Sequence, residues 1–331
     1  MNLTTIKKKI LIIAENDDAT ADQIVLRLRQ MGQDPVRTTW PNIAFGNSIC
    51  IGICNGACEG TIKTRNQQLA LNEIGVVFCR SLEPSRLPAN IASEASDFAI
   101  LEAESLVQGL IKVFGDSWIN IPTQTSAITS RLWQLLAAQA VRFVIPRTLV
   151  TADFQKIEEF ARDCGGQVLL RTLNARGDVK PARLFAADCT EEQKKIGPTL
   201  IDINQIRANS SEISAVPCMV EEVLAMESEI HAAVIGSTVF EIRPMLDPAT
   251  PASTSESLVL THTDREKCVQ LARSLHLNCC ILRFIYSKSG ILVFLDAVAN
   301  PEWAQIQNQF RSIPLVNTIA ATLVDHCVNR P

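Results

Sequence analysis

Two apolar, strand-like runs at 280–287 and 291–298, joined at Ser289-Gly290, constrain this chain more than any other feature. Such runs on either side of a serine-glycine pair read as an antiparallel hairpin. With those two residues as the loop, the pairing sets Arg283 directly opposite Asp296. Val298 lies two positions further on and so points to the same face as Asp296. A facing position on one strand, followed by acid-x-polar on its neighbour, can hold magnesium between oxygen ligands. Here the three places read arginine, aspartate and valine, leaving one oxygen ligand. The pattern is that of a metal site with its ligands replaced.

The start of the chain follows a different logic. Residues 10–14 read as a short buried strand, and Asp17-Asp18 or Thr20 is placed to cap the next helix. In that helix Ala21, Ile24, Val25 and Leu28 share a face, and Gly32 ends it. Residues 36–38 then supply a second strand, a β-α-β start of doubly wound type. Asn16-Asp17-Asp18 is acidic and lacks glycine, so it is a strand-to-helix connection rather than a phosphate cradle. A β-meander is expected over 49–78, with helices at 91–114 and 126–141. Strands follow at 143–145 and 148–151, then a helix stopped by Gly165-Gly166. Strands at 168–171 and 182–185 flank a tip at 174–180, and 189–199 reads as polar loop. Further strands are expected at 219–223, 230–235 and 238–242, and the Pro/Ser/Thr-rich stretch 247–257 reads as a loop. A helix near 264–275 precedes the hairpin, and Pro314 opens a terminal helix.

The 331 residues suffice for two to three domains with a real core. A net charge of −4 argues against a general nucleic-acid surface. No apolar run approaches the roughly 18–20 residues needed to cross a bilayer, so no membrane partner is expected. Residues 1–9 are charged and carry no apolar stretch of signal-peptide type, which points to a cytoplasmic protein. The eleven cysteines are an odd number, and most lie inside apolar runs, as small buried hydrophobes do in a reducing compartment. Cys50, Cys54 and Cys58 recur every fourth residue. They alternate with Ile49, Ile51 and Ile53 and run into Asn55-Gly56, so the segment reads as a strand entering a turn. Strand ligands four apart span more than about 10 Å, too far for one ion.

Four strings carry a resemblance to a known family. They are Trp118-Ile119-Asn120 before a proline, and Gln134-Leu135 followed by Ile145-Pro146-x-Thr148-Leu149-x-Thr151. Next come Glu221-Glu222-Val223 with Glu229-Ile230-His231 and Val234-Ile235-Gly236, and last Phe294-Leu295-Asp296 with Trp303. In order and spacing the chain resembles the ATP-grasp superfamily, nearest to the microviridin (graspetide) peptide ligases and more distantly to ribosomal-protein glutamate ligases. The resemblance implies an α/β fold of three parts: a pre-ATP-grasp domain at 1–120, a small central lobe at 121–205 and a C-terminal lobe at 206–331. It also implies ATP as cofactor, and a precursor peptide or a paralogous ligase as partner. A homo-oligomer stays open. Such enzymes join a carboxylate to an amine or hydroxyl through an acyl-phosphate, while Mg²⁺ and cationic side chains neutralise the phosphates.

Carried over residue by residue, the family's two phosphate lysines fall at Arg131 and Arg171. Its adenine- and ribose-holding hinge falls at Glu221-Glu222-Val223, and an arginine of the following strand falls at His231. The Asp-Trp-Arg string expected after the next strand has no counterpart. The metal-binding Asp, Glu and Asn fall at Arg283, Asp296 and Val298. Arginine at 283 puts a fixed cation where a dication belongs. Two unit charges about 4 Å apart repel by about 4 kcal/mol at an effective dielectric of 20, and a dication doubles that. Mg²⁺ is therefore disfavoured, with Asp296 the remnant of its site. The expected function is a pseudoligase that binds a peptide or an active paralogue. The alternative is an active ligase using Arg131, Arg171 and Arg283 as phosphate clamps. A cross-strand ion pair is what such an arginine–aspartate pairing usually is, and it is compatible with descent from a metal site.

Overall fold

The computed structural model describes residues 8–45, 48–64, 67–82, 87–88, 91–122, 129–173, 198–244 and 258–328. The first third runs β1 (Lys9–Ile13), α1 (Ala19–Gln30), β2 (Val36–Thr38), α2 (Trp40–Ala44), β3 (Ile49–Cys54), β4 (Ala57–Lys63), β5 (Gln68–Ala70), β6 (Ile74–Cys79), α3 (Ser96–Phe114) and β7 (Trp118–Ile119). Asp18 is the cap of α1, its Oδ1 accepting from the Ala21 amide, and Gly32 takes the positive φ (74°) that follows the helix. A parallel sheet of order β2-β1-β6-β7 forms, as the β-α-β start requires. Ile10, Ile12, Val76 and Phe78 face one side of it, and Leu11, Ile13, Val77 and Cys79 face the other, towards Val107, Leu110 and Phe114 of α3. Strands β3, β4 and β5 make a separate antiparallel meander turned at Asn55-Gly56. The last run of the expected meander, 74–78, instead pairs parallel with β1 as β6, because it is buried at every position, as a strand covered on both faces must be.

The middle of the chain gives α4 (Arg131–Ala140), β8 (Thr148–Thr151), α5 (Phe154–Asp163), β9 (Gln167–Arg171), β10 (Thr199–Asp202), α6 (Ile203–Ala208), α7 (Ser210–Ala215) and β11 (Cys218–Glu222). Its antiparallel sheet has the order β10-β9-β11-β8. Ile157 and Ala161 of α5 pack on its Val168, Leu170 and Val220. The last part gives β12 (Met226–Ile235), β13 (Thr238–Ile242), α8 (His262–Ser274), β14 (Cys279–Ser287), β15 (Leu292–Val298), α9 (Trp303–Gln309) and α10 (Leu315–Val328). Its sheet order is β13-β12-β14-β15. On one face of that sheet Leu282, Phe284 and Phe294 meet α4 and α8. On the other, Ala233, Ile235, Cys279 and Ile281 share a core with α10 and with Ile10, Ile12 and Phe78 of the first sheet.

Several expected bounds shift. Helix α3 begins at Ser96, after a 3₁₀ turn at Ser93–Ala95. Residues 143–145 make only a single bridge, Val144 to Val293, because Pro146 next to them removes a ladder donor. Residues 199–202 are strand β10, because Ile201 is buried against α6 and α7. The expected strand 182–185, the tip 174–180 and the loop 247–257 lie outside the described residues.

The C-terminal hairpin differs in detail yet keeps its central pairing. Its loop has three residues, Lys288-Ser289-Gly290, since the Ser287 amide donates to the Ile291 carbonyl and Gly290 takes φ 75°. That shifts the register by one from the two-residue reading. A bulge then absorbs Leu295 between the Phe284–Phe294 and Arg283–Asp296 pairs, restoring the alignment. Arg283 stands opposite Asp296, as expected, and Ile281 stands opposite Val298.

Candidate functional site

Strands β9, β11, β14 and β15 and the start of α4 bring three arginines and two carboxylates into one chain of ion pairs. Arg283 donates from Nε to Asp296 Oδ1 at 2.5 Å and from Nη2 to Oδ2. Arg131 Nη1 lies 3.7 Å from the same Oδ2 and donates to the Leu295 carbonyl at 2.7 Å. The bulge is what exposes that carbonyl to it. The other edge of the Arg131 guanidinium forks onto Glu221, Nε to Oε1 at 2.7 Å and Nη2 to Oε2 at 3.0 Å. Arg171 Nε completes the chain on Glu221 Oε2.

Local sequence sets each position. Ser130 caps α4, its Oγ accepting from the Trp133 amide, which presents Arg131 at the first helical position. One turn on, Gln134 exchanges two hydrogen bonds with the backbone of Ala297, N to Oε1 at 2.9 Å and Nε2 to O at 3.1 Å. It thereby occupies the outer edge of β15 as a strand would. Residues 219 and 171 pair across β11 and β9, so Glu221, two places along, shares a face with Arg171.

Burial separates the members. Arg131 and Glu221 are 3% and 1% exposed, and Asp296 is 8% exposed. The Arg283 side chain stays 42% exposed, at the open end. Burial pushes the Asp296 carboxyl up, but the Arg283 hydrogen bonds and the charges of Arg283, Arg131 and Arg171 outweigh it, leaving a net depression. Burial and the neighbouring Arg131 pull the Arg171 guanidinium down. His231 pairs with Arg283 across β12 and β14, and its Nε2 lies 2.7 Å from Glu229 Oε1. That hydrogen bond holds the Glu229 carboxyl low.

The remaining sequence candidates fall close by but outside the chain of pairs. Glu222 accepts from the Arg147 amide and Nε, so its carboxylate faces Arg147. Val223 is exposed just past the end of β11. Val298 shares the face of Asp296 and contributes only methyl groups. Trp303 is fully buried in the core under α10 and is a packing residue. The sequence reading missed Gln134 as the edge partner of β15 and Arg147 as the partner of Glu222. A run of Ser-Arg-x-x-Gln at a helix start was the available signal for the first.

The donor set does not fit a magnesium ion. Both Asp296 oxygens accept from Arg283, the facing position is that arginine, and the third offers no ligand atom. No group of three or more metal-ligating side chains occurs among the described residues. No helix among them is long and apolar enough to cross a membrane.

No family model and no curated protein matches the chain. Solved structures do match it. A RiPP-associated ATP-grasp ligase from Chryseobacterium gregarium, in complex with ADP and a leader and core peptide, aligns with TM-score 0.78 at 17% identity, over 96% of this chain and 97% of that one. Macrocyclase MdnC from Microcystis aeruginosa MRC, bound with precursor peptide MdnA, aligns with TM-score 0.75 at 17% identity, over 96% and 99%. ATP-grasp ligase PsnB, complexed with a phosphomimetic variant of minimal precursor, Mg and ADP, gives 0.71 at 16% identity, over 97% and 99%. Across nearly its whole length, this chain has the fold of the RiPP-associated ATP-grasp ligases.

Proposed function

We propose that the chain is a peptide-binding pseudoligase: an ATP-grasp protein whose phosphate and metal end is closed by its own ion pairs. The observation that carries this is the two-pronged Arg283–Asp296 pair, which takes both oxygens of the one carboxylate left at the metal position. A nucleotide–magnesium complex bound here would supply charge neutralisation for phosphoryl transfer. The residues that would hold it are instead engaged with one another. Arg131 and Arg171 share Glu221, and Arg283 holds Asp296. In this reading residues 1–120, 121–205 and 206–331 are the pre-ATP-grasp domain, central lobe and C-terminal lobe. The peptide-bound state of the structural relatives supports a precursor peptide as the ligand. An active paralogue is the other partner proposed.

The alternative, a working ligase with arginine phosphate clamps, draws on the exposure of Arg283. A thermal-shift titration with ATP, with and without Mg²⁺, separates the two. The pseudoligase gives at most weak stabilisation, the same with and without the metal. Strong magnesium-dependent stabilisation, or ADP release in the presence of a precursor peptide, selects the working ligase.

A further inference from the structure

A cleft of about 460 Å³ opens between the β12–β13 turn, the end of α8 and one face of α10. That volume lies within the usual span of small-molecule sites. The cleft is separate from the chain of ion pairs. Asn278, on its wall, comes just before β14, and the strand carries the backbone roughly 16 Å from there to Arg283.

The two sides of the cleft differ in chemistry. On α10, Thr318, Thr322 and Asp325 follow at i, i+4 and i+7 and so share a face. The Thr318 hydroxyl donates to the Pro314 carbonyl at 2.8 Å, and the Thr322 hydroxyl donates to the Thr318 carbonyl at 2.9 Å. Each has spent its one proton on the helix, so what it offers the cleft is lone pairs. Asp325 is exposed and adds a carboxylate. These three side chains only accept hydrogen bonds. Asp325 also stands in the last turn of α10, where the helix dipole favours a cation.

Across from them Arg273, exposed in the last turn of α8, offers only donors. No ion pair joins it to Asp325, and neither side chain has another partner among the described residues. The gap between them is framed by fixed parts. Ile235 and Leu277 are buried beneath it, and the Gly236 amide donates to the Asn278 carbonyl at 2.7 Å. The turn also lies against α10, since a Cβ at Gly236 would stand 3.7 Å from Thr322 Cγ2.

We infer that this cleft binds a small zwitterion, a free amino acid or a dipeptide. Its ammonium sits among Asp325, Thr318 and Thr322, and its carboxylate sits on Arg273. Opposite charges that share a cleft without pairing leave room for a ligand that carries both. A ligand of one charge leaves the other side unmatched. The inference is independent of whether the ion-pair site binds nucleotide.

Calorimetric titration of the full chain tests it, with the proteinogenic amino acids and their glycyl dipeptides as the panel. At least one member should bind saturably. Its methyl ester lacks the carboxylate and its N-acetyl form lacks the ammonium, so each should bind at least about tenfold more weakly. Arg273→Gln should weaken the zwitterion by a similar factor while leaving the methyl ester unchanged. Asp325→Asn should weaken it likewise while sparing the N-acetyl form. Both side chains are exposed and unpaired, so the unfolding midpoint of each variant should match that of the wild type. Three results would overturn the inference: no binding by any member of the panel, an ester or acetyl form as tight as its parent, or a zwitterion indifferent to both substitutions. Binding lost in Arg283→Asp but kept in Arg273→Gln would also overturn it, by placing the ligand in the ion-pair site.

Discussion

Glu221 holds two guanidinium groups while being 1% exposed, and that defines its chemistry. Removing its charge leaves Arg131 buried without its main partner. Breaking a buried pair from one side costs about 3–5 kcal/mol. Glu221→Gln should lose stability of that order in urea denaturation, and a loss below about 1 kcal/mol would contradict the buried pairing. Asp296 adds a pH dependence of known sign. Its folded-state carboxyl is depressed, so its contribution is complete above the unfolded value of ~3.9 and is lost as pH falls through the lower folded value. Asp296→Asn should therefore flatten the acid limb of the stability profile, and an unchanged limb would show that the pair contributes nothing. How much of this the sequence revealed depends on separation along the chain. Arg283 and Asp296 are 13 residues apart in one hairpin, so strand pairing alone joins them. Glu221 is 90 residues from Arg131 and 50 from Arg171, and no local pattern announces those contacts.

Among elements, the C-terminal hairpin shows how a correct pairing came from an incorrect loop. A two-residue loop and an unbulged ladder, or a three-residue loop and one bulge, set Arg283 against the same residue. Bulges leave no clear mark in composition, so the compensating pair of differences was not legible. The bulge has a consequence of its own, since it turns the Leu295 carbonyl to Arg131. Asn120 plays a comparable part at the end of β7. Its Nδ2 donates to the Cys279 and Ala299 carbonyls at 2.7 and 2.9 Å. Its Oδ1 accepts from the Asn278 and Cys279 amides at 2.7 and 3.0 Å. One buried amide thus ties the parallel sheet to the start of β14 and the end of β15. Asn120→Ala should cost about 2–4 kcal/mol by leaving these backbone groups unpaired. Amide exchange at Asn278 and Cys279 should quicken with it, and unchanged exchange there would sink the tie.

In the whole molecule, the β-α-β start, the first strands of the meander and the C-terminal hairpin were readable from hydrophobic period and turn residues, while the run 74–78 was misread as the meander's last strand. What joins them was not. The core shared by α10, the parallel sheet and the C-terminal sheet unites residues as distant as Ile12 and Leu323, and periodicity does not encode such contacts. Arg80 spans a similar gap, with Nε on Asp18 at 3.0 Å and Nη1 on the Pro301 carbonyl at 2.9 Å. If the fold is held by these contacts with no divalent ion, a chelator should leave the unfolding midpoint where it was. A clear drop would reveal a structural metal. The most direct test of the central claim is the affinity for ATP, measured calorimetrically with and without Mg²⁺, in the wild type and in Arg283→Asp combined with Val298→Asn. Removing the guanidinium and restoring two oxygen ligands should raise magnesium-dependent affinity by at least about tenfold over wild type. Tight magnesium-dependent binding by the wild type, or no gain in the double variant, would contradict the account.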